Sequence, residues 1–133
     1  LVDFHTRHKL VIMCHSPALL KESGRIVAAA GKKPGESFRP YLEILMNALS
    51  LRATVKKNVN VLHHAMGYVK KQLDSAMKAE LLSVIEDYHR GYVPLVVPVT
   101  LLRHYIRLYQ EPYLNAQYYF NSHPAELMLR NHV

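Results

Sequence analysis

Across residues 56–73 the chain reads KKNVNVLHHAMGYVKKQL, and its apolar residues repeat with the period of a helix, not of a strand. Val59, Leu62, Met66, Val69 and Leu73 recur three or four apart, which makes one continuous apolar stripe. At roughly 100° per residue, Lys57, Asn60, His64, Gly67 and Lys71 fall on the opposite stripe, flanked by Lys56, His63 and Lys70. One face of such a helix must be buried. The other presents cations, an amide, imidazoles and a notch without a side chain, and any function is expected there.

The rest of the chain reads in the same helical way, with Pro, Gly and Ser as punctuation. Leu1, Phe4, His8 and Val11 predict the inward line of a first helix ending near Cys14. Ser16-Pro17 supplies a cap and a first-turn proline for a second helix to Ala30, with Lys32 and Lys33 at its negative end and Pro34-Gly35 as its stop. A third helix enters over residues 37–40 and turns Leu42, Leu45, Met46 and Leu49 inward; residues 52–57 lead into the central helix. Asp74 or Ser75 caps the next, with Met77, Leu81, Val84, Ile85 and Tyr88 inward, Glu86 four before Arg90, and Gly91 as the stop.

Residues 93–98 read as a buried, proline-punctuated connection. From Pro98 a helix packs Leu102, Tyr105, Ile106 and Tyr109, while Arg103 and Arg107 align on another side. Glu111-Pro112 ends it. A tyrosine-rich stretch follows, and Ser122 is expected to cap a short last helix through Glu126 and Leu129. The expected fold is all-α: a single compact helical bundle of about six to eight helices, one domain over residues 1–133.

Charge narrows the function. Seventeen Lys and Arg against ten Asp and Glu leave a formal charge of +7, which favours an anionic partner: nucleic acid, an acidic membrane surface or a phosphorylated ligand. Solubility alone is the plain alternative. The single Cys14 excludes an intramolecular disulfide and a cysteine-ligated cluster, and suggests a reducing compartment. No signal-peptide pattern opens the chain, and the most apolar stretch, residues 93–102, is too short for a bilayer and holds Pro94 and Pro98. A cytoplasmic protein is expected, and a first residue other than Met leaves room for an upstream segment.

Catalytic patterns are missing. His5 and His8 lie one turn apart but have no acidic cluster or cysteine pair to complete a metal site, and His8 on the Phe4/Val11 line reads as a core histidine. His63 and His64 diverge by about 100° on a helix, as do Glu86 and Asp87. Cys14, late in an apolar helix, reads as a small core residue. No phosphate-loop motif is present, and residues 31–35 fit a helix stop. No metal, cofactor or catalytic residue is expected.

Anion binding has more behind it. Lys57, Asn60, His64, Lys70 and Lys71 form a polar strip, and Gly67 on it would let a sugar–phosphate backbone approach or, alternatively, let another helix pack closely. Arg103 and Arg107 form a second cationic pair, with Arg7, Arg90 and Arg130 outlying. Tyr68 and Tyr92 lie near basic residues and offer rings for stacking, although most tyrosines of a helical domain belong to its core or rim. A membrane surface fits less well, because the amphipathic helix lacks exposed Trp or Phe anchors.

Several segments resemble the YbgA-like domain family: Phe4-His5-x-Arg7-His8-Lys9, His15-Ser16-Pro17, and Asn60-Val61-Leu62-x-His64-x-x-Gly67-Tyr68-x-Lys70-Lys71-x-Leu73. Glu86-Asp87-Tyr88-x-Arg90-Gly91, Val93-Pro94-Leu95, Leu101-Leu102-Arg103-His104-Tyr105 and Pro124-x-Glu126-Leu127-Met128-Leu129-Arg130-Asn131 extend the likeness along the whole chain. That family is a domain of unknown function that occurs alone or fused behind an iron–sulfur desulfidase domain acting on thiouracil-type bases. The resemblance implies an accessory part in presenting thiolated tRNA, with a fused or separate desulfidase as partner. This chain lacks the cysteines of that cluster, so sulfur removal would belong elsewhere. The expected function is RNA binding, of tRNA or another structured RNA, through Lys57, Asn60, His64, Gly67, Lys70, Lys71, Arg103 and Arg107. The rivals are a protein-docking module for a desulfidase or repair enzyme, and a small-nucleotide enzyme built around His5, His8 and His64.

Overall fold

The computed structural model describes residues 1–30 and 34–121, and within them the chain forms seven helices and no strand. These are α1 (Val2–His15), α2 (Pro17–Ala29), α3 (Pro34–Ser50), α4 (Val55–Val69), α5 (Ser75–His89), α6 (Val96–Leu108) and the short α7 (Pro112–Asn115). Four of them start where a side-chain oxygen meets an otherwise unpaired backbone N–H. Ser16 Oγ accepts from Leu19 N at 3.1 Å, Thr54 Oγ1 from Lys57 N at 3.2 Å, Asp74 Oδ1 from Met77 N at 2.8 Å and Glu111 Oε2 from Leu114 N at 2.6 Å. Gly91 closes the turn after α5 at φ +80°, a left-handed conformation that glycine adopts without strain.

The organising element is α1, not α4. It packs against α2, α3 and α4 at once. Leu10 and Cys14 join the main core with α4, α5, α6 and α7, through Leu62, Met66, Leu81, Ile85, Leu102, Ile106 and Leu114. Ile12, from the same helix, joins a second core with Tyr41, Leu45 and Ala48 of α3. A helix between two cores has no single apolar stripe, and this corrects the line expected for α1. Phe4 and Leu1 are exposed, His8 and Val11 are half-buried, and the buried positions are His5, Leu10, Ile12 and Cys14.

Buried polar groups fasten the two cores. The Gln117 amide sits beside α1, its nitrogen donating to Thr6 O and its oxygen accepting from Leu10 N at 3.2 Å. Tyr119 donates to Asn58 Oδ1 at 2.8 Å, while Asn58 Nδ2 reaches Thr54 O. The core histidine is His5, with Nδ1 3.1 Å from the Tyr41 hydroxyl; His8 instead stacks on Phe4 with ring centroids 3.9 Å apart. Burial raises the Tyr41 pKa, so the phenol keeps its proton and can donate it to a neutral His5.

Other expectations need revision. Helix α3 starts at Pro34, so the Pro34-Gly35 pair opens a helix; residues 31–33 lie outside the described part. Its inward residues are Tyr41, Leu45 and Ala48, whereas Leu42, Met46 and Leu49 are exposed. Helix α6 begins at Val96 and takes Pro98 into its first turn, where the missing N–H has no acceptor to lose. Ser122, Glu126, Leu129 and Arg130 lie outside the described residues. No described helix is long and apolar enough to cross a membrane.

His5 ties stability to pH. Burial first, then the charges of Lys9 and His8, hold its pKa below the ordinary 6.5. The unfolded chain therefore binds this proton at a higher pH than the folded one. The stabilisation is complete above pH 6.5 and is lost as pH falls through the folded value, at no more than about 1.4 kcal/mol per pH unit for one proton. Urea unfolding between pH 7.5 and 5 should show this decline, and His5→Gln should reduce its slope.

Candidate nucleic-acid interface

The buried arc of α4 consists of Asn58, Val61, Leu62, Ala65, Met66 and Val69, with Val59 half-buried. At 100° per residue its centre lies about 50° from the centre of the Val59–Leu73 stripe. Burial of an amide, Asn58, and of the small Ala65 produces that rotation, because the Tyr119 hydroxyl and the Thr54 carbonyl satisfy the amide. Rotation by this amount moves Lys57 from the outer face to its edge. The helix also ends at Val69, so Lys70 is its C-cap and Lys71 stands in the following turn.

Lys57 has a structural task. Its Nζ donates to His15 O at 2.7 Å and to Arg52 O at 3.0 Å, so it caps the C-terminus of α1 and holds the loop before α4. Two of its three donors are engaged, which corrects its expected place among the phosphate-binding cations.

Lys56, Asn60, His63, His64, Gly67, Lys70 and Lys71 remain exposed. Lys56 and Lys70 are roughly 21 Å apart along the helix axis. Among the described residues no carboxylate lies within ion-pairing distance of Lys56, Lys70 or Lys71; the ion pairs are Arg7–Asp3, His89–Glu86 and Arg90–Glu86. Hydrogen bonding to Arg90 is the main reason that the Glu86 carboxyl sits below its ordinary pKa, so the outlying Arg7 and Arg90 are already paired. At Gly67 a β-carbon would meet nothing within 4 Å. Close helix packing is thereby removed as the reason for this glycine, and the notch opens to solvent.

Aromatic rings border the strip. His64 and Tyr68 form a T-shaped ring pair at 5.7 Å, and Tyr68, 41% exposed, stacks on Tyr113 of α7 at 4.7 Å with 24° between planes. Burial, assisted by Tyr68, raises the Tyr113 pKa to about 12, so this ring is a neutral support. Spacing could not reveal the pair, since 45 positions separate its members. Tyr92 is exposed after α5. Arg103, half-buried on α6, directs Nη1 to Phe120 O at 3.4 Å, and Arg107 is exposed one turn on. No described hydrogen bond or ring contact joins either arginine to the α4 strip.

The imidazoles do not form one site. His5 is buried with Tyr41, His8 lies between Phe4 and Tyr118, and His64 stands beside Tyr68. Among the described residues no group of three or more His, Cys, Asp or Glu could hold a metal ion. One groove, of about 250 Å³, is lined by Leu1, Phe4, Phe38, Tyr41, Leu42 and Leu45, on α1 and α3 and not on α4.

A family model described as "Protein of unknown function (DUF1722)" matches residues 9–124. "Uncharacterized protein YbgA" of Escherichia coli (strain K12) is 32% identical over 133 residues, covering 98% of this chain and 79% of that protein. No solved structure matches.

Lys57 and Gly67 should separate cleanly in stability measurements. Lys57→Met should destabilise the chain by about 1–2 kcal/mol in urea, because His15 O and Arg52 O lose a charged donor. Gly67→Ala fills open space within a helix and should stabilise by up to about 1 kcal/mol.

Proposed function

The chain belongs to the DUF1722 family, the YbgA-like domains, and for this member we propose an RNA-binding accessory function that reads backbone charge and shape, with tRNA as the favoured ligand. One observation carries the reading: an exposed row of Lys56, Asn60, His64, Gly67, Lys70 and Lys71 whose lysines have no carboxylate partner among the described residues. The overall charge of +7 points the same way.

Each group then has a distinct task. Lys56, Lys70 and Lys71 neutralise phosphates. Asn60 and His64 donate or accept hydrogen bonds at phosphate or a 2′-hydroxyl, and Gly67 lets the strand approach the helix backbone. The exposed part of Tyr68, whose ring rests on Tyr113, would stack an unpaired base. Arg103 and Arg107 serve a longer ligand that continues past α6. Lys57 contributes through the loop that it holds. No catalytic step is assigned to the chain. A partner desulfidase, fused or separate, would supply sulfur chemistry to a thiolated tRNA held in this way, and a cytoplasmic location suits that role.

Lys70→Glu with Lys71→Glu should weaken binding of total tRNA in mobility shifts and flatten its salt dependence, each lost contact removing roughly 0.7–0.9 from the log–log slope. Both side chains are exposed, so folding should be unaffected. A folded double variant with the parental affinity and slope would refute the proposal.

A further inference from the structure

Helix α3 carries more apolar surface than its core uses. Tyr41, Leu45 and Ala48 pack with residues of α1 and α2, yet Phe38 is 64% exposed, Leu42 43%, Met46 59% and Leu49 40%. At 100° per residue these four occupy one arc of about 80°, a continuous ridge along the flank of α3 that adjoins its buried face, about 90° round the helix from it. The groove between Leu1, Phe4, Phe38, Tyr41, Leu42 and Leu45 runs beside it. An exposed apolar ridge of this extent on a water-facing helix marks an interaction surface.

Charge identifies what covers it. Between residues 34 and 50 there are two acids, Glu36 and Glu43, and one base, Arg39, so this face lacks the cationic excess of the chain and does not suit an anionic ligand. Arg39 and Glu43 border the ridge on the same flank, about 40° apart on the helical wheel. Although one turn apart, they form no ion pair with each other or with any described residue. When two identical helices meet antiparallel about a two-fold axis, each flank faces the same flank of its mate. With the axis passing near residues 41 and 42, Arg39 of one copy would stand opposite Glu43 of the other, and the pair would occur twice. Phe38 would then meet the second copy's Met46, whose flexible thioether can enter the groove beside Phe38. A parallel arrangement would bring opposite flanks together and leave both charges unmatched.

We propose that the exposed apolar flank of α3 is a self-association surface on which a second copy of this chain packs antiparallel, joined by the Phe38–Leu42–Met46–Leu49 ridge and by two Arg39–Glu43 pairs. The proposal is independent of the RNA reading, since the α4 strip contributes nothing to it.

Sedimentation equilibrium over a wide concentration range tests it, with folding of each variant checked by thermal unfolding. The parent should form a dimer with a dissociation constant on the order of micromolar, as befits a small interface. Met46→Lys should weaken the dimer at least about tenfold, and Arg39→Glu should do so by facing Glu43 with a like charge. The double exchange Arg39→Glu with Glu43→Arg should restore the parental constant to within about threefold. A parent that stays monomeric throughout, a dimer indifferent to Met46→Lys, or a double exchange as weak as Arg39→Glu alone would each overturn the proposal. The first of these would leave the ridge to a different protein.

Discussion

A single helix obliged to serve two cores sets the terms for the rest of the molecule. Helix α1 gives Leu10 and Cys14 to one side and Ile12 to the other, so neither α2–α3 nor α4–α7 closes a core without it. Burial on two sides leaves little room for the helix to rotate, because any turn that improves one contact spoils the other. The Gln117 amide removes the remaining freedom by bonding to Thr6 O and Leu10 N, a carbonyl and an amide four residues apart on α1. Lys57 adds a constraint at the far end, where its ammonium group donates to the carbonyl of His15. The outer face of α4 is therefore oriented by what happens on α1.

The same circumstance explains what could be read from the chain and what could not. Two caps, Ser16 and Asp74, and the Glu86–Arg90 pair were legible because they depend on neighbours within four residues. Thr54 and Glu111 cap helices just as locally, but Glu111-Pro112 reads equally well as the end of α6. The all-α class and the inward faces of α5 and α6 were legible as well, since each buries one side. No single stripe describes α1, where burial is two-sided, and the core histidine is His5, not the His8 that periodicity selects. Helix α3 is apolar over one broad arc of about 160°, from Ala48 round to Met46, and periodicity alone cannot say which of Tyr41 and Leu42 turns inward. In α4 the burial of Asn58 depended on Tyr119, sixty-one positions away, and no local pattern contains that partner. The exposed lysines, His64 and Gly67 of the strip survived this 50° error because the polar arc is broad; Lys57, at its border, did not.

The position of Lys70 and Lys71 beyond the last turn of α4 shapes the chemistry available to them. The end of a helix presents unpaired carbonyls and a partial negative charge, which attracts ammonium groups and repels phosphate. An anion can be held there only at the reach of the lysine side chains and not by the backbone, unlike the phosphate sites at helix N-termini. Contact through extended, solvated ammonium groups is weak per pair, insensitive to base sequence and easily screened by salt. Asn60, His64 and the Tyr68–Tyr113 pair lie towards the middle of the strip, where hydrogen bonds and stacking can add what charge alone does not.

Cationic and apolar surfaces are thus kept on different helices, and that separation has a physical consequence. A lysine strip beside an exposed apolar ridge would pay for dehydration of its charges whenever the ridge was covered. With the ridge on α3 and the strip on α4, the two surfaces can be occupied independently. Two chains joined through α3 would carry two strips at a fixed spacing, and the second strip would meet a long anion already held by the first. The second contact would then be intramolecular, so modest phosphate affinities would combine into a much tighter one without any new side chain.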